Sequence, residues 1–404
     1  MEKYLNLEKQ FGAQNYKPLP VVIAKGEGSW VWDTDGKKYL DMLASYSAGN
    51  QGPRQPKIIQ AAKDQMEKIT ITSRAFVNDQ MGQFLKKAAD LAGYDRALPM
   101  NTGAEAVESA IKMARKWGEK VKGIPKDRCN IIVCENNFRR RTITIITFST
   151  DDQYRDGFGP FTPGFKVAPF GDLEAIEALI DDETCAIMVE PIQGEGGVII
   201  PPEGYLKGLQ EISNRHNVLL MFDEIQVGLG RTGKMFCFEH EDAKPDVLIL
   251  AKALGGGVYP VSVVLADNHI MDVFTPGDHG STFGGNPLGA AVGIASLDVL
   301  LDEKLPERAA ELGEFFSSSL RKIDCPVIKE IRSKGLMVGV EIKPEFGGAR
   351  RFCEALMDRG ILSKETHVTT IRFTPPLIIT KEELDWALDI IKEVFAELGQ
   401  EPIK

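Results

Sequence analysis

The centre of the chain, from about residue 100 to about residue 300, alternates short apolar runs with amphipathic stretches. The apolar runs occupy Asn130–Cys134, residues 185–189, residues 218–222 and Val247–Leu250. Residues 104–117 repeat apolar side chains at the three- and four-residue spacing of a helix. Short strands that lack polar alternation and are separated by helices are typical of a parallel sheet covered on both faces. The pattern predicts a large α/β domain with a mostly parallel sheet.

The two ends of the chain have a different pattern. Residues 28–43 read as two strands around a hairpin turn at Asp35 and Gly36. Residues 303–404 mix helices with short strands. We therefore predict a smaller α+β domain that is built from both ends of the chain. The predicted boundaries are 1–50 and 301–404 for the two parts of the small domain, and 51–300 for the large domain.

Composition narrows the classes of function. The chain has 404 residues and a net charge of −10, which argues against nucleic acid or an anionic membrane as a partner. No apolar stretch approaches the roughly 20 residues that a membrane helix needs, and the first residues do not resemble a targeting segment. We therefore expect a cytoplasmic protein. Six cysteines and five histidines are scattered along the chain, so we expect neither a disulfide framework nor a metal site.

A lysine and a run of glycines follow the last apolar run. Lys252 comes two residues after the predicted strand Val247–Leu250, and residues 255–257 are glycines. Open α/β sheets bind their ligands at the carboxyl ends of strands, and glycines let the backbone approach a bulky group. A lysine amine in such a place can attack a carbonyl group if its pKa is lowered. The alternative is a solvated lysine beside a flexible loop.

An acidic residue ends another apolar run. Asp223 follows residues 218–222 directly, so it also lies at the carboxyl end of a predicted strand. Pyridoxal phosphate (PLP) needs a carboxylate beside its pyridine nitrogen and a lysine for its aldehyde. Asp223 and Lys252 together are candidates for these two roles, although an isolated Asp223 would more often be a helix cap or a turn residue.

Two further loops have groups that suit a phosphate. Residues 101–105 open the predicted helix, whose free amides could hold an anion, although Thr102 and Glu105 also match a capping box. Residues 279–286 form a second loop rich in Gly, Ser and Thr. By contrast, residues 228–233 match a three-glycine dinucleotide fingerprint, but the segment after them does not open a helix. A nicotinamide-dependent dehydrogenase is therefore the weaker alternative, and an absorbance spectrum would distinguish the two.

Several segments are similar to one known family. Residues 222–226, 228–233 and 251–257 together resemble the class-III aminotransferases, which are PLP enzymes of fold type I. Residues 12–16, 100–106 and 190–195 resemble the members of that family that act on ornithine. The similarity runs from about residue 10 to the end of the chain. It implies a homodimer, with tetramers left open, and transfer of the δ-amino group of L-ornithine to 2-oxoglutarate.

The resemblance also implies roles for individual residues. Lys252 would hold PLP as a Schiff base and move the proton, and Asp223 would pair with the pyridine nitrogen. Other cofactor contacts would come from Gly103, Ala104, Phe138, Gln226 and Thr282 of the partner subunit. The substrate-binding residues would be Tyr16, Tyr46, Arg141, Glu195 and Arg372. Glu195 would pair with Arg372 when ornithine is bound and would release it for the α-carboxylate of glutamate.

The chain departs from the family pattern near two of these residues. Arg140 stands where the family usually has glycine, close to Phe138 and Arg141, and Pro53 and Gln55 stand where histidines are usual. Two alternatives therefore remain open beside the ornithine activity. One is an aminotransferase of the acetylornithine or 4-aminobutyrate type, against which Tyr16 counts. The other is a weakly active or inactive PLP-binding relative.

Overall fold

The computed structural model describes residues 1–137, 142–400 and 402. Its central sheet has seven strands, which in spatial order are β4 (Arg96–Met100), β10 (Ser262–Ala266), β9 (Val247–Leu250), β8 (Leu219–Asp223), β7 (Thr184–Val189), β5 (Asn130–Cys134) and β6 (Phe165–Ala168). Strand β10 runs antiparallel to both of its neighbours, and the other paired strands are parallel. The four apolar runs are thus strands of one mostly parallel sheet, as predicted.

The central sheet is covered on both faces. Ile131 and Val133 of β5 pack in one apolar cluster with α5 (Gly103–Trp117), and Ile132 and Cys134 belong to a second cluster. Alternate residues of a strand point to opposite faces, so burial of all four requires two covering layers. The other helices of this part are α3 (Pro56–Met66), α4 (Met81–Ala92), α6 (Ile143–Thr147), α7 (Leu173–Ala178), α8 (Tyr205–His216), α9 (Asn268–Met271) and α10 (Pro287–Asp302).

Two further four-stranded sheets are formed by strands that lie before and after the central sheet along the chain. The first is β1 (Ile23–Glu27), β2 (Trp30–Asp33), β3 (Lys38–Asp41) and β13 (Ile361–Leu362), and the second is β11 (Ile328–Lys334), β12 (Met337–Ile342), β15 (Thr370–Phe373) and β14 (Lys364–Thr366). The remaining helices are α1 (Glu2–Phe11), the short turn α2 (Ala44–Ser47), α11 (Leu305–Arg321), α12 (Ala349–Asp358) and α13 (Lys381–Leu398). Within the described residues, no helix combines the length and apolar character needed to cross a bilayer.

Pairing between strands from opposite ends joins the two ends of the chain. Leu40 of β3 lies opposite Ile361 of β13 in a parallel pair. The predicted hairpin is also present, because β2 and β3 are antiparallel and Asp33 Oδ1 accepts hydrogen bonds from the amides of Asp35 and Lys37 at its turn. Both chain ends therefore contribute to one of the outer sheets, while the exact domain boundaries stay a prediction.

Candidate active site

The ends of β8 and β9 place Asp223 and Lys252 at one edge of the central sheet. The two strands are parallel neighbours, with Asp223 opposite Ile249, and Lys252 follows β9 after one residue. Asp223 is buried, and its Oδ1 accepts a hydrogen bond from the amide of Ile225 at 3.1 Å. The two residues that the sequence singled out thus reach the same edge, which is where such sheets bind ligands.

The backbone after β9 turns sharply. Lys252 has φ +50° and opens a short 3-10 helix, Lys252–Gly255. At Gly256 an added Cβ would lie 2.4 Å from Ser296 Oγ and 2.6 Å from Ile58 Cδ1. The sequence predicts that residues 255–257 lie close to a bulky ligand. At Gly256, however, the close neighbours are side chains of α3 and α10. Gly257, in contrast, does line the cavity beside Lys252.

A cavity of about 410 Å³ joins Lys252 to the start of α5. It is lined by Lys252, Asn101, Thr102 and Gly103, together with Ser45 of the turn α2. A volume in this range suits a cofactor-sized molecule. Its walls bring together an amine and the positive end of a helix, as a ligand with an aldehyde and a phosphate would require.

The start of α5 supports both interpretations of residues 101–105. Thr102 Oγ1 accepts from the amide of Glu105 at 3.2 Å, and Glu105 Oε2 accepts from the amide of Thr102 at 2.6 Å. The capping box is therefore real. It engages the amides of Thr102 and Glu105, so it does not use those of Gly103 and Ala104, which lie in the first turn where an anion would bind.

An ion pair joins the central sheet region to the second outer sheet. Arg372 of β15 is fully buried, and its Nη1 donates to Glu195 Oε1 at 2.6 Å. Gln226 Nε2 donates to the same oxygen at 3.3 Å. Gln226 also packs directly on Gly194, where an added Cβ would lie 1.9 Å from Gln226 Oε1. Three of the residues predicted for the site, Glu195, Gln226 and Arg372, are therefore in contact.

The electrostatics keep this carboxylate ionised. Burial alone would raise the pKa of Glu195, but the charges of Arg372 and Lys252, together with hydrogen bonds from Arg372 and Gln226, outweigh it and lower the pKa. The influence of Lys252 shows that the ion pair lies near the lysine. Among the described residues, Nε and Nη2 of Arg372 have no hydrogen-bond partner. A buried arginine with two unused donors can accept a further carboxylate.

Two tyrosines lie beside the ion pair. The guanidinium of Arg372 is 4.9 Å from the ring centroid of Tyr46, close enough for a cation–π contact. Burial raises the pKa of the Tyr46 phenol, and charges at Glu195 and Tyr16 raise it further, so Tyr16 also lies in this neighbourhood. The side chain of Tyr16 is largely exposed. Tyr16 and Tyr46 thus flank the Arg372 end of the site.

The remaining predicted residues are less well connected. Thr282 is exposed and is not among the residues that line the Lys252 cavity, although its neighbour Ser281 accepts a hydrogen bond from Asn101 Nδ2 at 2.9 Å. Phe138 and Arg141 lie outside the described residues, and so does Arg140. Their predicted roles stay predictions.

Two buried charged residues were not identified from the sequence. Glu224 follows Asp223, and its carboxyl oxygens accept from the amides of Cys237 at 2.6 Å and Phe238 at 2.8 Å. Burial raises its pKa to about 8. Arg231 lies in the three-glycine segment and donates to carbonyl oxygens of Leu336 and Pro375. That segment forms turns and is followed by a 3-10 helix, Cys237–His240, which is not the strand–turn–helix of a dinucleotide site.

Gln51 and Gln55 have structural roles in residues 50–56, the loop in which Pro53 and Gln55 depart from the family pattern (the altered loop). Gln55 Oε1 accepts from the amide of Lys57 at 2.6 Å and caps α3, while its Nε2 donates to Glu303 at 2.9 Å. Gln51 Nε2 donates to the carbonyl of Ala253, next to Lys252, at 2.9 Å. The altered loop therefore packs against the site without supplying a reactive group.

Comparison with known proteins places the whole chain in one context. A family model described as aminotransferase class-III matches residues 11–395. The ornithine aminotransferase of Brevibacillus brevis is 58% identical over 386 residues, which cover 96% of each chain. That of Staphylococcus epidermidis is 56% identical over 395 residues, covering 98% of this chain and 99% of the relative.

Solved structures agree at the level of the fold. The ornithine aminotransferase of Toxoplasma gondii, which was found with PLP partially occupying its active site, superimposes with a TM-score of 0.97 at 47% identity, covering 98% of this chain and 94% of its own. The acetylornithine aminotransferase of Elizabethkingia anophelis gives a TM-score of 0.90 at 47% identity, covering 98% and 99%. The similarity therefore includes the central sheet, both outer sheets and the residues between them.

Proposed function

Because the chain belongs to the class-III aminotransferase family, we propose that it transfers the δ-amino group of L-ornithine to 2-oxoglutarate. The products are glutamate 5-semialdehyde and glutamate. The observation that carries this proposal is the pair between the buried Arg372 and the partly exposed Glu195, which lies near Lys252 and leaves two nitrogens of the arginine without a partner among the described residues. The names of relatives at 56% to 58% identity point to the same substrate.

The residues present fit PLP. When bound, PLP supplies the electron sink for removal of a proton from the carbon that bears the amine. Lys252 would bind its aldehyde and carry the proton, and Asp223 would keep the pyridine nitrogen protonated. Gly103 and Ala104 would hold the phosphate with their amides, Phe138 would cover the ring, and Gln226 would lie near the phenolic oxygen. The cavity that links Lys252 to the start of α5 supports this assignment.

Substrate recognition follows from the two states of Arg372. Ornithine reacts at its terminal amine, so the reacting carbon has no carboxylate and Glu195 remains the partner of Arg372. Glutamate reacts at its α-amine, and its α-carboxylate takes the place of Glu195. Tyr16 and Arg141 would bind the carboxylate of ornithine. Exchange of one carboxylate for another lets a single site bind both substrates without leaving a buried charge unpaired.

A second candidate function is transfer from N-acetylornithine. It is favoured by the Elizabethkingia anophelis structure, which is as similar in sequence as the Toxoplasma gondii one, at 47% identity. Half-reactions with ornithine, N-acetylornithine and 4-aminobutyrate, followed by the absorbance of the cofactor, distinguish the candidates. We expect ornithine to react fastest, and a faster reaction with N-acetylornithine would overturn the proposal.

We also propose a homodimer in which Thr282 of the partner subunit completes the phosphate site. The exposed apolar side chains of Phe76, Val77 and Phe283 support it, because Phe283 directly follows Thr282 and the other two precede Asn78. Asn78 Nδ2 donates to the carbonyl of Gly285 at 3.1 Å and so joins the two segments. Light scattering should give a dimer or a multiple of it, and a monomer with full activity would contradict the proposal.

The central assignment is tested by Lys252→Ala. This variant should lose turnover and should no longer retain cofactor after borohydride reduction, because no other amine is proposed to reach the aldehyde. Reductive trapping of the cofactor on another lysine would overturn the assignment. Turnover by the wild-type chain separates an active enzyme from the weakly active relative that Arg140 suggested.

A further inference from the structure

The turn α2 has an unusual backbone. All four of its residues have left-handed φ values, which are 46° at Ala44, 49° at Ser45, 60° at Tyr46 and 73° at Ser47. A side chain makes this conformation cost about 1–2 kcal/mol per residue, and the turn contains no glycine. Strain of this kind persists only where the surroundings impose it, and it is concentrated at functional sites. The contacts that impose it here are therefore informative.

Asp41 holds the entrance of the turn. Its Oδ1 accepts hydrogen bonds from the amides of Leu43 and Ala44, both at 2.9 Å. One carboxyl oxygen thus holds two successive amides at the point where the backbone enters the left-handed conformation. At the exit of the turn, the amide of Gly49 donates to the carbonyl of Ala44 at 3.0 Å. Without the Asp41 oxygen, the two entrance amides would lose their acceptor and the turn could relax.

Thr374 ties the same turn to the strand segment that carries Arg372. Its Oγ1 donates to the carbonyl of Leu43 at 3.0 Å, and its amide donates to the carbonyl of Met42 at 2.8 Å. Residues two apart in an extended segment point to the same side, so Thr374 and Arg372 face the turn together. The hydrogen bonds of Thr374 to Met42 and Leu43 therefore fix the turn relative to the segment that carries Arg372. They help to set the distance of 4.9 Å between the Tyr46 ring and the Arg372 guanidinium.

The turn also reaches the other end of the site. Ser45 and Ala48 line the cavity that contains Lys252. The left-handed segment therefore spans the space between the lysine and Arg372, with Ser45 facing one and Tyr46 facing the other. A right-handed turn of the same residues would point these two side chains elsewhere.

We infer that Asp41 is a positioning residue for donor selection, because its carboxylate holds the left-handed turn that presses Tyr46 against Arg372. Tyr46 limits the positions that Arg372 can take when its carboxylate partner changes. If the turn relaxes, Arg372 gains freedom, and glutamate, whose α-carboxylate binds Arg372 directly, loses more than ornithine, which leaves Arg372 paired with Glu195. The inference rests on the proposed function for its kinetic consequence, but the placement of Tyr46 can be tested without activity.

The experiment compares Asp41→Ala with Asp41→Asn. Both variants remove the charge, but asparagine keeps the Oδ1 acceptor and alanine does not. The ratio of the half-reaction rate with ornithine to that with glutamate should rise about fivefold in Asp41→Ala, as expected for a cation–π contact of about 1 kcal/mol, and should change less than about twofold in Asp41→Asn. In a Tyr46→Ala background, Asp41→Ala should leave the ratio unchanged, because it acts through Tyr46.

A spectroscopic readout does not depend on turnover. The protein has eight tyrosines, so 3-fluorotyrosine labelling gives a tractable fluorine spectrum in which Tyr46→Phe identifies the Tyr46 signal. Asp41→Ala should shift that signal, and Asp41→Asn should leave it in place. Thr374→Val removes only the hydroxyl hydrogen bond to Leu43 and should also shift the Tyr46 signal. It provides an independent test if Asp41→Ala does not fold.

The outcomes separate the two proposals. An unmoved Tyr46 signal in Asp41→Ala and Thr374→Val overturns the inference, as does an Asp41→Asn variant that behaves like Asp41→Ala. A wild-type protein that does not react with ornithine overturns the proposed function, while the fluorine spectra still decide whether Asp41 positions Tyr46.

Discussion

Arg231 and Arg372 are both fully buried, yet their surroundings differ in kind. Arg231 donates three hydrogen bonds to neutral acceptors: the carbonyl oxygens of Leu336 at 2.9 Å and Pro375 at 2.7 Å, and Asn50 Oδ1 at 2.6 Å. These acceptors belong to the fixed backbone or to a buried amide. Arg231 therefore ties the three-glycine segment to residues beside β12 and β15.

Arg372 donates one hydrogen bond, to a charged acceptor that we propose exchanges with a substrate carboxylate. Its partner Glu195 lies in a segment between glycines, at positions 194, 196 and 197, and two of the Arg372 nitrogens have no partner in the described part of the chain. A buried arginine whose two Nη atoms are both held by neutral acceptors contributes to stability, whereas one with a single charged partner and an unpaired Nη can bind a ligand. Burial alone does not distinguish the two, but the type and number of acceptors does.

Replacement of Arg372 should give the largest effect. In Arg372→Met, kcat/KM for the glutamate half-reaction should fall about a thousandfold, since loss of one partner of a buried charge pair costs about 4 kcal/mol. The reaction with ornithine should fall less, because ornithine leaves Arg372 paired with Glu195. Single-turnover absorbance measures both rates. A loss below about tenfold with glutamate would show that Arg372 does not bind its carboxylate.

Arg231→Met is the matched control and should affect stability in place of selectivity. The two carbonyls and Asn50 would lose their donor in a buried place, so the free energy of unfolding should fall by about 3 kcal/mol. Urea denaturation at fixed protein and cofactor concentration measures this change. The ratio of ornithine to glutamate rates in the folded variant should equal that of wild type. A changed ratio without loss of stability would break the contrast between the two arginines.

The residues of the site differ in how far the sequence could predict them. Lys252 and Asp223 were predictable from the residues, because each follows an apolar run whose end had to reach one edge of a parallel sheet. The contact between Glu195 and Arg372 joins residues 177 positions apart, and only the family resemblance suggested it. Arg231 was overlooked because a glycine motif in a turn has no periodicity that places its side chain.

Two further misses have local physical reasons. Glu224 directly follows Asp223, but successive residues of a strand point in opposite directions, and the Glu224 carboxyl group accepts from the amides of Cys237 and Phe238. The left-handed turn Ala44–Ser47 has no glycine or asparagine to signal it. Asp41 holds it through local hydrogen bonds, whereas Thr374 holds it from 331 positions away, and a tertiary constraint of the second kind leaves no trace in local propensity.

Glu195→Ala sharpens the contrast at the next level. The variant leaves Arg372 without its resident partner, so α-amino donors should be favoured throughout. The rate with ornithine should fall relative to glutamate by about tenfold or more, which corresponds to about 1.4 kcal/mol. Glu195→Gln keeps a side chain of similar shape and should show a smaller change in the same direction. Equal losses with both donors would mean that Glu195 is only structural.

The pH dependence should show the smallest effect on selectivity, and it follows from the lowered pKa of Glu195. Burial opposes ionisation, but the charges of Arg372 and Lys252 and the hydrogen bonds to the carboxylate prevail. Glu195 should therefore stay ionised between about pH 6 and about pH 9. Over that pH range, the ratio of the ornithine rate to the glutamate rate should follow the same pH profile in wild type as in Glu195→Gln, because neither side chain titrates there. Stopped-flow measurements across the range provide the check.

Stability at acid pH completes the argument, because it separates the two arginines by the chemistry of their partners. A glutamate with a lower pKa in the folded than in the unfolded chain stabilises the fold above its unfolded pKa of about 4.3, and this contribution is lost as the pH falls through the folded pKa. The urea midpoints of wild type and Glu195→Gln should therefore converge on acidification. The hydrogen-bond acceptors of Arg231 are carbonyl and amide oxygens that do not titrate, but the charge of Asp41 also acts on Arg231. In an Asp41→Asn background, which removes that charge, the chains with Arg231 and with Arg231→Met should therefore keep their separation over the same pH range. If the first pair of curves stays apart while the second converges, the ionised Glu195 is not what stabilises Arg372, and the distinction between a fixed and an exchangeable buried arginine fails.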